Sequence, residues 1–326
     1  MQAYPLLTRG ATLALADIER PEAGPGEVLV RVRATSINPY DWHHVLGEPY
    51  VARVLPNGLG LRRARVRVPG CDLAGQVEAV GPGVTRFRPG DDVYALVEQG
   101  GFARYAVVAE SLLAAKPGNL SYEQAAAVPM AGLTALLAVR DDGRLQAGQH
   151  VLVNGASGGV GTFAVQLAQA LGASVTGVCR GANSELVTSL GAAEVIDYTS
   201  TDFTRLGRRW DLIVDVAGTR SVLACRRALA HGGAQIVIGG PAGRWVQPAG
   251  HALGSMALAP LAGVRVRLTD IVSDTRKAEL LDTLTGFIER DQVRPVIDRV
   301  VGFEELPAAF AYQLAGHARG KVVVTV

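Results

Sequence analysis

His150-Val-Leu-Val-Asn154, then Gly155-Ala156-Ser157-Gly158-Gly159-Val160-Gly161, then Thr162-Phe-Ala-Val-Gln-Leu-Ala-Gln-Ala-Leu171-Gly172 is the stretch that decides the fold. A short apolar run ends in glycines, and Val160, Ala164, Leu167, Ala168 and Leu171 then recur at helical spacing. Glycines let the backbone turn tightly and approach a phosphate at the positive end of a helix. With a strand before it and a helix after it, the loop reads as a dinucleotide site. Ala156, Ser157, Gly158, Gly159 and Val160 are the residues expected along the pyrophosphate.

The next strand, Ser174 to Cys179, bears on which dinucleotide. A unit that holds NAD usually ends this strand in Asp or Glu, which binds the ribose 2′-OH. Here the position is Arg180, and no Asp or Glu occurs from Gly161 to Ser184. Guanidinium suits a 2′-phosphate, which it meets with two parallel hydrogen bonds. Asn183 can add another. The expected cofactor is therefore NADPH.

The pattern around this unit sets the architecture. Up to about Pro117 the chain alternates apolar and polar residues between Pro/Gly turns, as in Val28–Arg33 and Gly75–Val80. From about Ser121, strands at 150–154, 174–179, 194–197, 211–216, 234–239 and 264–271 alternate with helical segments. Such alternation gives an α/β fold with a doubly wound parallel sheet. Gly191, Gly232 and Gly233 are expected at helix ends, and Arg276 to Arg290 as a last amphipathic helix.

Several motifs in order resemble the zinc-independent quinone oxidoreductase and zeta-crystallin branch of the medium-chain dehydrogenase/reductase superfamily. They are the Gly155–Gly161 loop, Ser36-Ile-Asn-Pro-Tyr-Asp-Trp42, Pro69-Gly-Cys-Asp-Leu-Ala-Gly75, Gly101-Phe-Ala-Arg-Tyr105, Ala125–Thr134 and Gly316-His-Ala-Arg-Gly-Lys321. The resemblance implies a GroES-like β-rich catalytic domain at 1–120, completed by 273–326. A Rossmann NADP(H)-binding domain follows at 121–272. It also implies cofactor contacts from Thr134, Tyr198, Ala217, Gly239, Gly240 and Lys321. For Lys321 the phosphate, the catalytic loop and a plain surface cation all remain open.

Relatives that bind a catalytic zinc place Cys and His ligands where this chain, by alignment, has Asn38, Cys71 and Pro129. Proline cannot coordinate, so no metal is expected. A substrate carbonyl must then be polarised by hydrogen bonds. By resemblance, Asn38 and Tyr50 are the groups for that oxygen, with Tyr40 as the substitute for Tyr50. Asp41 reads as a tie for its own loop, and Cys71 as a small buried side chain. The stretch Tyr50 to Pro69 carries Arg53, Arg62, Arg63, Arg65 and Arg67. It reads either as a solvated loop or as a lid for an anionic substrate tail.

Composition limits the alternatives. A chain of 326 residues exceeds one ordinary core, and a net charge of +2 does not favour nucleic acid or a charged membrane. The longest apolar stretch, around Ala252 to Val264, is short and broken by Gly254 and Pro260, so it cannot span a bilayer. Three scattered cysteines and no secretory leader at Met1 fit a reduced, cytoplasmic protein. The expected activity is NADPH-dependent reduction of a small electrophile, a quinone or conjugated enone or enal, by a homodimer paired through Gly263–Thr269. A zinc-free alcohol or aldehyde oxidoreductase and a non-catalytic NADPH-binding protein are the alternatives.

Overall fold

The longest strand, β1 (Glu27–Ile37), runs straight into a helix, α1 (Pro39–Leu46), because Asn38 stops one and caps the other. Pro39 fits the first helical position, where no N–H is needed, and the Asp41 carboxylate accepts the Asn38 backbone N–H at 2.8 Å. Gly47 ends the helix at φ +65°, in the left-handed region. This is a computed structural model, describing residues 1–10, 12–53, 59, 66–240, 243–316 and 318–326.

The chain divides into two units. The first comprises Met1–Leu133, Asp274–Arg290 and Pro295–Val326. Its largest sheet places β1 between β2 (Asp72–Val80) and the C-terminal strand Lys321–Thr325, antiparallel to both. Ser36 pairs with Asp72, and Ile37 with Val322. The end of β1, the start of β2 and the start of the last strand thus meet at one end of the sheet. Ile37, Val45, Phe303, Phe310 and Val322 pack beside this junction and exclude water from it.

The second unit comprises Thr134–Ser273 and Asp291–Arg294. Six parallel strands form its sheet: β3 (His150–Asn154), β4 (Ser174–Cys179), β5 (Glu194–Asp197), β6 (Trp210–Asp215), β7 (Leu229–Val237) and β8 (Arg265–Leu268). Their spatial order is β5-β4-β3-β6-β7-β8, the doubly wound order. Helix α2 (Gly159–Ala170) buries Phe163, Ala164, Leu167 and Ala168.

Two expectations need correction. Gly232 and Gly233 do not end a helix; they lie in the irregular start of β7, where the register with β6 shifts. The preceding helix stops at Ala228, so the strand begins earlier than its apolar run suggests. The stretch from Ala252 is not broken at Gly254 or Pro260, because helix α3 (Ala249–Ala262) runs through both. Gly191 does follow a helix, its N–H reaching Thr188 O at 3.0 Å. Among the described residues, no helix is long and apolar enough to cross a membrane.

Candidate functional site

In the second unit the predicted nucleotide contacts gather where the strands end. Gly155 turns the chain at φ +95°, and its N–H and that of Ala156 bind Val178 O at 3.0 and 2.9 Å. Gly158 caps α2. A Cβ on Gly161 would lie 2.1 Å from Gly155 O, so the helix approaches the loop as only glycine permits. Ala217 sits against Gly155, where a Cβ would meet its N and Cβ at 3.3 Å. A Cβ on Gly239 would stand 2.2 Å from Val216 O, and one on Gly218 would stand 2.4 Å from the Cα of Gly240. Ser157, Gly159 and Val160 are partly exposed on this loop. Thr134 is buried on the helix Pro129–Leu136, outside the strand-end loops.

Arg180 follows β4 and is exposed. The Asn183 amide donates to Ser157 Oγ at 3.1 Å, which ties the turn after β4 to the glycine loop. Tyr198, 49% exposed, donates its N–H to Cys179 O at 3.2 Å and so stands beside Arg180. The structure also adds a carboxylate that the sequence reading missed. Asp197 ends β5 opposite Cys179. Its Oδ1 accepts Thr199 N–H and O–H at 2.9 and 2.8 Å. These bonds, with smaller help from the Gly181 N–H and Arg180, hold the acid below the usual carboxylate range. Beneath the loops Asp215 is buried, accepting Asn154 and Gln235 amide groups at 2.8 and 2.9 Å, with His251 Nε2 at 3.7 Å.

In the first unit, β1, β2 and the last strand deliver a buried polar cluster. Lys321 is 3% exposed, so the surface-cation reading is wrong. Its ammonium donates to Asn38 Oδ1 and, at 3.1 Å, to Asp72 Oδ2. Asp72 also accepts Ser36 O–H at 2.6 Å, Asn38 Nδ2–H at 2.9 Å and Met130 N–H at 2.8 Å. Asn38 turns its amide toward Asp72, Ser36 O and Cys71 Sγ, the last two at 3.3 Å. Its donors are therefore spent inside the protein, and it is not the direct donor to a substrate oxygen that the sequence suggested. Asp72 and Ser36 lie in quoted motifs, but no local spacing marks them as partners of position 321.

Asp41 holds its loop, accepting Gly70 and Cys71 N–H at 3.1 and 3.0 Å in addition to Asn38. Burial pushes its carboxyl up to about 7; the charge of Asp72 adds to this, while the Asn38 N–H and Lys321 oppose it. Burial, then Asp41 and Asp72, push the neighbouring Cys71 thiol up. Tyr50 stands on a separate turn, Tyr50–Arg53, with the Arg53 guanidinium 4.4 Å over its ring. The Tyr40 ring lies against His44, with centroids 4.5 Å apart and the planes tilted by 53°. His43 donates Nδ1–H to Glu48 O at 2.6 Å, and burial lowers its pKa. Arg62, Arg63 and Arg65 of the arginine-rich stretch lie outside the described residues. Among the described residues, no group of three or more His, Cys, Asp or Glu is placed to hold a metal ion.

Residues 24–118 match the family described as alcohol dehydrogenase GroES-like domain, and residues 190–324 the one described as zinc-binding dehydrogenase. A chloroplast envelope quinone oxidoreductase homolog of Arabidopsis thaliana is 33% identical over 97% of this chain and 95% of its own length. The chain belongs to the medium-chain dehydrogenase/reductase superfamily. Among solved members of the superfamily, a structure titled NAD-dependent alcohol dehydrogenase superposes with a TM-score of 0.85, at 30% identity and full coverage of both chains. The Thermus thermophilus quinone oxidoreductase, solved also in complex with NADPH, superposes with a TM-score of 0.79, at 31% identity and full coverage of both. Like them, this medium-chain dehydrogenase/reductase is an oxidoreductase of a family that binds nicotinamide nucleotides, built from a GroES-like domain and a parallel-sheet domain.

Proposed function

We propose that this chain is a zinc-independent, NADPH-dependent reductase of quinones or conjugated enones and enals. The observation that carries the cofactor choice is the end of β4. Arg180 is exposed there beside Tyr198 and Asn183, while the carboxylate of Asp197 already accepts Thr199 N–H and O–H and is drawn to the Gly181 N–H and to Arg180. The glycine loop fits a nucleotide: Gly155, Gly161 and Gly239 let backbone segments pack more closely than a Cβ allows, while the Cβ position of Gly158 stays open, 3.5 Å from its nearest neighbour. Bound NADPH would supply the hydride.

The residues of the chain do the rest. Negative charge reaching the substrate oxygen needs a donor, and Tyr50, which resembles the tyrosine of this branch, supplies its O–H. Asn38 holds its place through Lys321 and Asp72, so it shapes the loop that carries Tyr40 and Asp41. The ammonium of Lys321 holds Asn38, which by alignment stands where zinc-binding relatives place a ligand, and Asp72 matches its charge. Assembly as a homodimer is supported by β8, an edge strand of its sheet, and by α3, whose Leu253 and Leu261 are 63% and 79% exposed. A substrate panel followed by NADPH absorbance in the presence of chelator tests the reading. Turnover of enones or quinones supports it, and turnover of alcohols with NADP⁺ alone favours the alcohol dehydrogenase alternative.

A further inference from the structure

Two arginines converge on the glycine that ends α1. Arg53 donates Nε–H to Gly47 O at 2.6 Å. Arg9 donates to Leu59 O at 2.6 Å. A Cβ on Gly47 would lie 2.6 Å from Arg9 Cδ and 2.9 Å from Arg53 Nη2, so both arms lie against this turn. Burial, and then the charge of Arg53, make Arg9 a weaker base than usual. Both guanidiniums are half-buried, and like charge beside like charge is costly there. Among the described residues, the terminal amino groups of Arg53 meet no acceptor. From Tyr50 to Pro69 the sequence contains five arginines and no Asp or Glu.

We infer that Arg53 receives an oxyanion carried by the substrate: a carboxylate, sulfonate or phosphate on the electrophile. The planar fork meets such a group with two parallel hydrogen bonds. Its bond to Gly47 O and its contact with the Tyr50 ring fix the fork before substrate arrives, which lowers the ordering cost of binding. Arg9 adds charge at the same point. This deepens the reductase reading, because it places the anionic group of the substrate next to the tyrosine assigned to its carbonyl.

The test pairs naphthoquinone with its ring sulfonate, using the full chain and NADPH. In Arg53→Gln, kcat/KM for the sulfonate falls about ten- to a hundredfold, the equivalent of one lost charge-assisted hydrogen bond. The neutral quinone and the KM for NADPH change by about twofold or less. Arg53→Lys keeps the charge but loses the fork, and recovers part of the loss. Added salt weakens the sulfonate alone. Naphthalene sulfonate, which is not reducible, reads the site by fluorescence without turnover and must bind less tightly to Arg53→Gln. Equal losses for both quinones, or no change in sulfonate binding, overturn the inference. If the wild type reduces neither quinone but binds naphthalene sulfonate through Arg53, the reductase reading fails and the anion site stands.

Discussion

Around Gly155–Gly161 the protein builds a site from backbone, and around Lys321 from side chains. The loops at the ends of β3, β6 and β7 keep their shape because glycines allow approaches that any Cβ would block, and the surfaces they leave are partly exposed. The cluster of Lys321, Asn38 and Asp72 is closed, and buried charge there is matched by neighbours from three distant stretches of chain. An open backbone site tolerates change in the side chains it presents, whereas a closed ionic one does not.

Breaking the cluster should therefore have the largest effect. Lys321→Met leaves Asp72 buried without its cation, and one-sided loss of a buried pair costs about 3–5 kcal/mol. Urea unfolding measures it. Adding Asp72→Asn to the same protein should restore much of the loss, and no restoration would mean that the pair is not what the ammonium stabilises.

The nucleotide loops predict a different pattern, in which effects separate by function. Arg180→Ala should weaken NADPH binding about ten- to a hundredfold and leave NADH and stability nearly unchanged. Calorimetric titration with each cofactor decides, and equal losses for both would remove the 2′-phosphate assignment. Within the loop itself the glycines should not be equivalent. Gly161→Ala forces its new methyl against Gly155 O and should cost about 1–3 kcal/mol. At Gly158 a Cβ has its nearest neighbour at 3.5 Å and φ is −84°, so alanine there should fold normally.

This contrast also explains what was legible in the sequence. The parallel sheet was readable because its strands are short apolar runs bounded by glycines, and each signal is local. The start of β7 was not, since its first residues hold their place through a register shift with β6 that leaves no periodic trace. Ser157, Arg180 and Asn183 could be brought together from one strand–turn–helix pattern. Asp197 could not, because only the pairing of β5 with β4 carries it to Cys179. Lys321 was undecided for the same reason. Its partners lie 283 and 249 residues away, and strand register alone unites them. The tying role of Asp41 was readable from the Asn-Pro-Tyr-Asp spacing, a helix start written in four consecutive residues.

A pH dependence sharpens the comparison within the cluster. Asp41 titrates at about 7 in the folded protein, against about 3.9 for an ordinary aspartate. A raised carboxyl pKa means that the folded state favours the protonated form. Its stabilising contribution is full below about pH 4 and is lost as pH rises through 7. Melting temperatures measured from pH 5 to 8 should fall with pH more steeply for the wild type than for Asp41→Asn. Parallel curves would place the titration elsewhere.

The central claim is that hydride passes from NADPH to an electron-poor carbon without a metal, and isotope transfer tests it most directly. Chelator-treated protein is given a cyclic enone and NADPH deuterated at the transferable position of the nicotinamide, and the product is read by mass spectrometry and NMR. The account predicts one deuterium at the β-carbon, with a rate unchanged by chelator and lowered about a hundredfold in Tyr50→Phe. Deuterium on the carbonyl carbon, or turnover that stops with chelator and returns with zinc, would contradict it.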